Sequence, residues 1–290
     1  MANTRRSNLI YVDQLQEAIP GAFAGMKALL GTGAANVNFN MPGVDGQGNR
    51  IKGGDTIRVP YFDAIGELED VIEGQALTPV NASETSETTT VQRSGKAAEI
   101  TTWAQLTAMF SDPYAELARQ IAVATMRRVD KGLIDKAATA TLVNDQNGSS
   151  VTADMFIDTV DQWGDEQDDV VAWFMHSKML TSIRKLKDSQ QRYLIVDPTS
   201  GNIPTLWGKP IIISDRMPTT GSGGSTVYTT ACAKRGALAA WINGNPTIKT
   251  DSDILTDSDI QALHIYWATH LYKRPNGYTK QGVVLLKARA

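Results

Sequence analysis

The sequence predicts an α+β fold in which one long helix separates strand-rich segments, and three observations carry that expectation. Thr56-Ile57-Arg58-Val59-Pro60-Tyr61 alternates apolar and polar residues, the period of a half-buried strand. Ser111-Asp112-Pro113 places a capping residue before a proline at the first helical position, and an apolar stripe at every fourth residue follows it. Beyond residue 150, short apolar runs such as Val170-Val171-Ala172-Trp173-Phe174-Met175 alternate with helical patterns and turn signals. With 290 residues, 42% hydrophobic and 20% charged, the chain can bury a sizeable core in one large domain or two intimately joined ones.

Taken in order, residues 1 to about 50 hold a weak amphipathic segment, Val12 to Leu30, and a Gly- and Asn-rich run, Gly31 to Gly48, and read as an extended arm. The Thr56 strand follows, with Ile57, Val59 and Tyr61 on one face, and a second strand is expected from Thr88 to Thr102. The polar run Gln75 to Thr90 between them leaves little apolar cover, and a lone two-stranded ribbon is marginal in water. The hairpin is therefore expected to lie on another surface, that of a neighbouring copy.

The helix after Pro113 carries Leu117, Ile121, Thr125, Val129, Leu133 and Ala137, a stripe that drifts round a 3.6-residue helix and so suits one crossing several elements. Asn144 to Ser150 reads as a polar turn, Thr152 to Trp163 and Ser177 to Lys187 as helices, and Val170 to Met175 as a buried strand. Further strands are expected at Tyr193 to Val196, Pro210 to Ser214, Thr226 to Ala233 and Ala237 to Ile242. Two more, Ile260 to Tyr272 and Gly282 to Lys287, flank the turn signal Pro275-Asn276-Gly277 and should return to the long helix.

Composition narrows the function. A formal net charge of -3 without a basic domain argues against a dedicated nucleic-acid binder. Cys232, the only cysteine, cannot form an internal disulfide, which points to cytoplasmic synthesis. No stretch approaches the roughly 18 apolar residues of a membrane span.

The constellations that could carry chemistry are weak. Asp251, Asp253, Asp257 and Asp259 resemble a calcium loop, but Leu255 and Thr256 occupy positions where such a loop needs a ligand and a glycine, so a polar strand or loop is the expectation. Asp165, Glu166, Asp168 and Asp169 read as a solvated loop. His264 and His270 share a strand face about 20 Å apart and cannot share a metal. His176-Ser177 has no G-x-S-x-G elbow, and Ser177 suits a helix cap. Gly221-Ser222-Gly223-Gly224 lacks the Lys-Ser/Thr of a phosphate loop and reads as a hairpin tip. Trp173, Trp207, Trp241 and Trp267 are expected in the core. No cofactor is expected.

Two stretches carry a resemblance. Met179-Leu180-Thr181-Ser182-Ile183-Arg184-Lys185-Leu186-Lys187-Asp188 is followed by Leu206-Trp207-Gly208-Lys209-Pro210-Ile211-Ile212-Ile213-Ser214-Asp215-Arg216-Met217-Pro218. Locally, Gly208 would permit a tight approach, Pro210 would fix the start of a strand and Pro218 would end it. With the order of the whole chain, these resemble the HK97-type major capsid proteins of tailed bacteriophages.

The resemblance implies an N-terminal arm at 1–48, an extended loop hairpin at 49–102, a peripheral domain with its spine helix at 103–148 and 258–290, and an axial domain at 149–257. It implies a structural, non-enzymatic subunit of an icosahedral head, assembled in the host bacterial cytoplasm as hexamers and pentamers around double-stranded DNA that it does not read. A portal and a possible decoration protein are implied partners. Because the arm is shorter than the scaffolding segment of some members, a separate scaffolding protein is expected. Ile57, Val59, Tyr61, Glu84, Glu87, Arg93 and Lys96 are the expected intersubunit contacts. Some members form a lysine–asparagine cross-link, for which Lys52, Lys96 and Asn276 are available but no motif singles them out. An encapsulin-type compartment shell shares this fold and is the alternative; a metal-dependent enzyme using an acid cluster is the third reading.

Overall fold

A computed structural model of the chain describes residues 32–39, 41, 56–62, 70–71, 76, 79, 84–103, 113–187, 205–243, 247–274 and 279–290. The segment Val12 to Leu30, the strand expected at Tyr193 to Val196 and the turn at Pro275-Asn276-Gly277 lie outside them.

Fourteen strands and three helices are described. In chain order they are β1 (Ala35–Asn38), β2 (Thr56–Phe62), β3 (Glu84–Thr90), β4 (Gln92–Thr101), α1 (Pro113–Ala137), β5 (Leu142–Ser150), α2 (Ala153–Asp161), β6 (Val170–Met175), α3 (Ser177–Arg184), β7 (Thr205–Leu206), β8 (Lys209–Ile213), β9 (Thr219–Thr220), β10 (Val227–Lys234), β11 (Leu238–Ile242), β12 (Thr247–Asp253), β13 (Ser258–Leu271) and β14 (Val283–Arg289).

One five-stranded sheet is organised on β13. Its 258–264 portion pairs with β12 and its 267–271 portion with β11, which in turn pairs in parallel with β1; β4 runs along the opposite edge. A seven-stranded sheet has the order β5-β14-β10-β6-β8-β7, with β9 pairing β10. Its central strands β6 and β10 are buried along almost their whole length because both faces are covered. Met155 and Phe156 of α2 and Met179, Leu180 and Ile183 of α3 pack on the face that presents Trp173, Ile211, Cys232 and Val284. The other face, with Phe174, Ala231 and Leu285, joins a core shared with α1 and the five-stranded sheet.

Helix α1 spans 25 residues, about 37 Å at 1.5 Å per residue. Ile121, Thr125, Val129, Leu133 and Ala137 are all buried, as the four-residue stripe predicts. At Gly132 the helix backbone comes so close to β13 that an added Cβ would lie 2.2 Å from Cζ3 of Trp267. The Thr269 hydroxyl donates to the Gly132 carbonyl at 3.3 Å. Buried Asp130 accepts from Arg216 at 3.2 Å, tying α1 to the turn after β8.

Several expectations need correction. Thr88 to Thr102 is not one strand: the chain breaks at Val91, with β3 pairing β2 and β4 pairing β13. Asn144 to Ser150 is part of β5 rather than a turn, held as an edge strand by parallel pairing with β14. The last two strands do not form a hairpin, since β13 and β14 belong to different sheets.

Sheet membership therefore cuts across the boundaries 149–257 and 258–290. β14 and β5 lie in the sheet of the expected axial domain, whereas β11 and β12 lie with β13 in the expected peripheral one. The Gly- and Asn-rich arm contributes a strand too, β1, through backbone pairing that needs no apolar pattern.

At the β7–β8 turn, Trp207 and Gly208 both have positive φ, 48° and 75°, the geometry of a two-residue hairpin loop. Open space surrounds a Cβ at Gly208, so glycine serves the backbone angle there and not the expected close approach. Trp207 is 52% exposed on this turn and is not a core residue, unlike Trp173, Trp241 and Trp267.

Candidate functional site

The site to be built is the surface around the β2–β3 ribbon, β4 and the β12–β13 tip, where the sequence places its contact candidates. The ribbon does not stand alone. Ile57 is buried against Ala239, Trp241 and Ala268, on the face of the five-stranded sheet turned away from α1, with Val59 and Tyr272 at the margin. The Thr89 hydroxyl donates to the Thr269 carbonyl at 2.8 Å. The expectation that this ribbon needs a neighbouring copy is corrected at its root, since the chain's own sheet covers Ile57.

Glu87 is likewise turned inward. Its Oε2 lies 2.6 Å from Nε2 of His270, and Lys273 Nζ stands 3.9 Å from Oε1. Burial holds the His270 pKa below its ordinary value, against the opposing pull of Glu87. The Tyr272 phenol beside them is pushed up by burial and by the same carboxylate. Val59, Pro60, Tyr61 and Glu87 line a cleft of about 280 Å³ at this root. The Glu84 side chain lies outside the described residues.

Arg93 and Lys96 are exposed on β4. Lys96, with Arg128 of α1, rims an open groove of about 420 Å³ floored by Ile121, Leu263 and Ile265, whereas Arg93 turns to the opposite face of the sheet. Arg93 reaches Nδ1 of His264 at 3.3 Å, and the Arg128 guanidinium lies 5.3 Å from the centroid of the Trp267 ring.

The four aspartates do not form a calcium loop. Asp251 and Asp253 stand opposite Ile260 and Ser258 across the β12–β13 pair, while Asp259 stands opposite Ser252, so the strand period sends it to the other face. Asp253 Oδ1 accepts from the Leu255 N–H at 2.9 Å, and that bond lowers its pKa; Asp251 Oδ1 accepts from the Ser252 N–H at 3.0 Å. Asp257, at φ 49°, accepts from the Thr102 hydroxyl at 3.0 Å. These carboxylates fasten the turn. Among the described residues no three His, Cys, Asp or Glu side chains converge in a metal-binding group.

The other constellations also resolve into local structure. His176, not Ser177, is the N-cap of α3: its Nδ1 accepts from the Lys178 N–H at 3.1 Å, while Asp215 Oδ1 accepts from the Ser177 N–H at 3.1 Å. The imidazole nitrogen nearest Ser177 is thus occupied by the cap. In the 165–169 turn, burial raises the Glu166 pKa, but bonds from the Thr279 hydroxyl and N–H and from the Lys280 N–H outweigh it and hold the carboxyl low. Glu166, Asp169 and Asp168 oppose the desolvation that depresses buried Lys234, whose Nζ lies 5.0 Å from the centroid of the Trp163 ring. Gly221 to Gly224 forms the turn between the paired strands β9 and β10, as its composition predicts.

What sequence reading misses here is the β12–β13 tip itself. Ile254 is 92% exposed and Leu255 96% exposed, between the carboxylates. An Asp-Ile-Leu-Thr-Asp turn carries that signal, since aliphatic residues are poor turn formers.

Residues 130–234, from the second half of α1 to the end of β10, match the sequence model of the Phage capsid family. No curated protein sequence matches the chain. Among solved structures, the fold is similar to the capsid of the empty GTA particle, at TM-score 0.68 and 17% identity over 91% of both chains. It is similar to that of Mycobacterium phage Che8, at TM-score 0.60 and 15% identity over 81% of this chain and 85% of the other. The capsid of Ralstonia phage GP4 gives TM-score 0.63 and 8% identity over 89% and 87%. At these identities the likeness is one of fold, and that fold is the HK97-type capsid fold.

Proposed function

We propose, from a chain that joins the HK97-type capsid fold to a Phage capsid family segment, that it is a structural major capsid protein whose copies assemble into a phage head. The observation that carries this reading is the agreement of the two comparisons. The sequence match runs from the last two turns of the long helix through every strand of the seven-stranded sheet except β14, and the fold likeness extends over 91% of both chains. One chain that meets its own copies through different surfaces can close rings of five and six and build a shell.

In this reading the head encloses double-stranded DNA without reading its sequence, consistent with a net charge of -3. A separate scaffolding protein and a portal act in its assembly.

Electron microscopy of the purified chain, alone and co-produced with a candidate scaffolding protein, tests the proposal. Closed shells or ring-shaped capsomers are expected. A chain that stays monomeric under both conditions and hydrolyses a substrate would overturn it.

A further inference from the structure

The β12–β13 tip and the groove between α1 and β4 are complementary in two independent respects. The tip presents two aliphatic side chains almost wholly to water, Ile254 and Leu255, flanked by Asp251, Asp253 and Asp257. The groove offers an aliphatic floor of Ile121, Leu263 and Ile265 under a rim of Lys96 and Arg128. Apolar matches apolar at the centre and carboxylate matches cation at the margin, the anatomy of a protein interface.

The tip cannot fill the groove of its own chain. Leu263 lies five positions along β13 from Ser258, where the turn joins the strand, about 17 Å at strand rise. The intervening residues are fixed by pairing on both sides, with β12 and with β4.

We propose that the β12–β13 tip of one copy seats in the α1–β4 groove of a neighbouring copy. This rests on the capsid reading, because it requires copies held side by side. The two surfaces differ, so the contact is heterologous: each copy gives a tip and receives one, and the contact propagates round a ring or closed shell. Oppositely charged margins set its register and bring the tip in from the correct side.

Two surface cysteines test it. Leu255→Cys on the tip and Ala124→Cys in the groove are made in separate chains, with Cys232 left in place because it is fully buried. Shells assembled from an equal mixture and mildly oxidised are expected to give a disulfide-linked pair at a yield at least about tenfold above shells of either variant alone. Linked pairs from Leu255→Cys alone would mean that tips meet tips, and shells that form without mixed pairs would leave the groove without its tip; either result overturns the proposal.

Charge reversal supplies a second reading. Lys96→Glu is expected to cut shell yield about tenfold, and Asp251→Lys in the same chain to restore it, with unchanged melting temperatures. Loss without restoration overturns the pairing. If the unaltered chain forms no assembly with its scaffolding protein, the capsid reading falls instead, which separates the two failures.

Discussion

At the scale of single residues, the consequential groups are those that hold the ribbon to the sheet. His270 is buried beside Glu87, and burial keeps its folded-state pKa below the ordinary value of about 6.5. A depressed pKa means that the neutral ring contributes stability in full above that ordinary value and loses it as pH falls through the depressed one. Melting temperature is therefore expected to fall as pH drops below about 6.5, before Glu166 and Asp253 titrate at more acidic pH. Replacing His270→Asn should flatten that first part of the profile; an unchanged slope would assign it to other groups. Composition hides this pair, because Glu87 and His270 are 183 positions apart in sequence and the Glu84–Thr90 run looks merely polar.

At the scale of elements, the sequence is informative where a face is buried and silent where backbone pairing decides. The stripe from Ile121 to Ala137 is legible because α1 buries one spiral face on β13 and β11. Ile57 and Val59 reveal a strand, but nothing in them says whether their cover comes from the same chain. β5 escapes detection because an edge strand can be polar, its hydrogen bonds to β14 overriding the low strand preference of Asn and Asp. Asn144 in it is buried and specific, its Nδ2 donating to the Met155 carbonyl at 3.1 Å and to the Thr159 hydroxyl at 3.2 Å, which fixes β5 against α2. The α1–β13 contact is tightest at Gly132, where there is no room for a methyl group against the rigid Trp267 ring. Gly132→Ala should destabilise the fold by about 1–3 kcal/mol, an overpacking cost larger than alanine's helix-propensity gain. Chemical denaturation measures it, and an unchanged midpoint would mean that α1 can back away freely.

At the scale of the whole molecule, strand content, the long helix and the overall order are legible, whereas the assignment of strands to sheets is not. Period-2 patterns show that a face is buried without naming the sheet, so the sheet membership of β5, β11, β12 and β14 does not follow their order along the sequence. The core follows the topology: Phe174, Ala231 and Leu285 of one sheet share a single apolar cluster with Leu238, Leu263 and Trp267 of the other, with α1 between them. A shared core predicts one cooperative thermal transition, with calorimetric and van't Hoff enthalpies equal. Two resolved transitions would mean that the lobes fold separately.

The placement of β14 has a mechanical consequence. The chain crosses between the two sheets from α1 into β5, again from β10 to β11, and a third time from β13 to β14. One crossing would make a hinge and two a hinge with a stop, but three spaced links brace the lobes like a truss. In the proposed shell, any change of dimensions is therefore expected to come from sliding whole subunits against one another, not from bending each one in the middle.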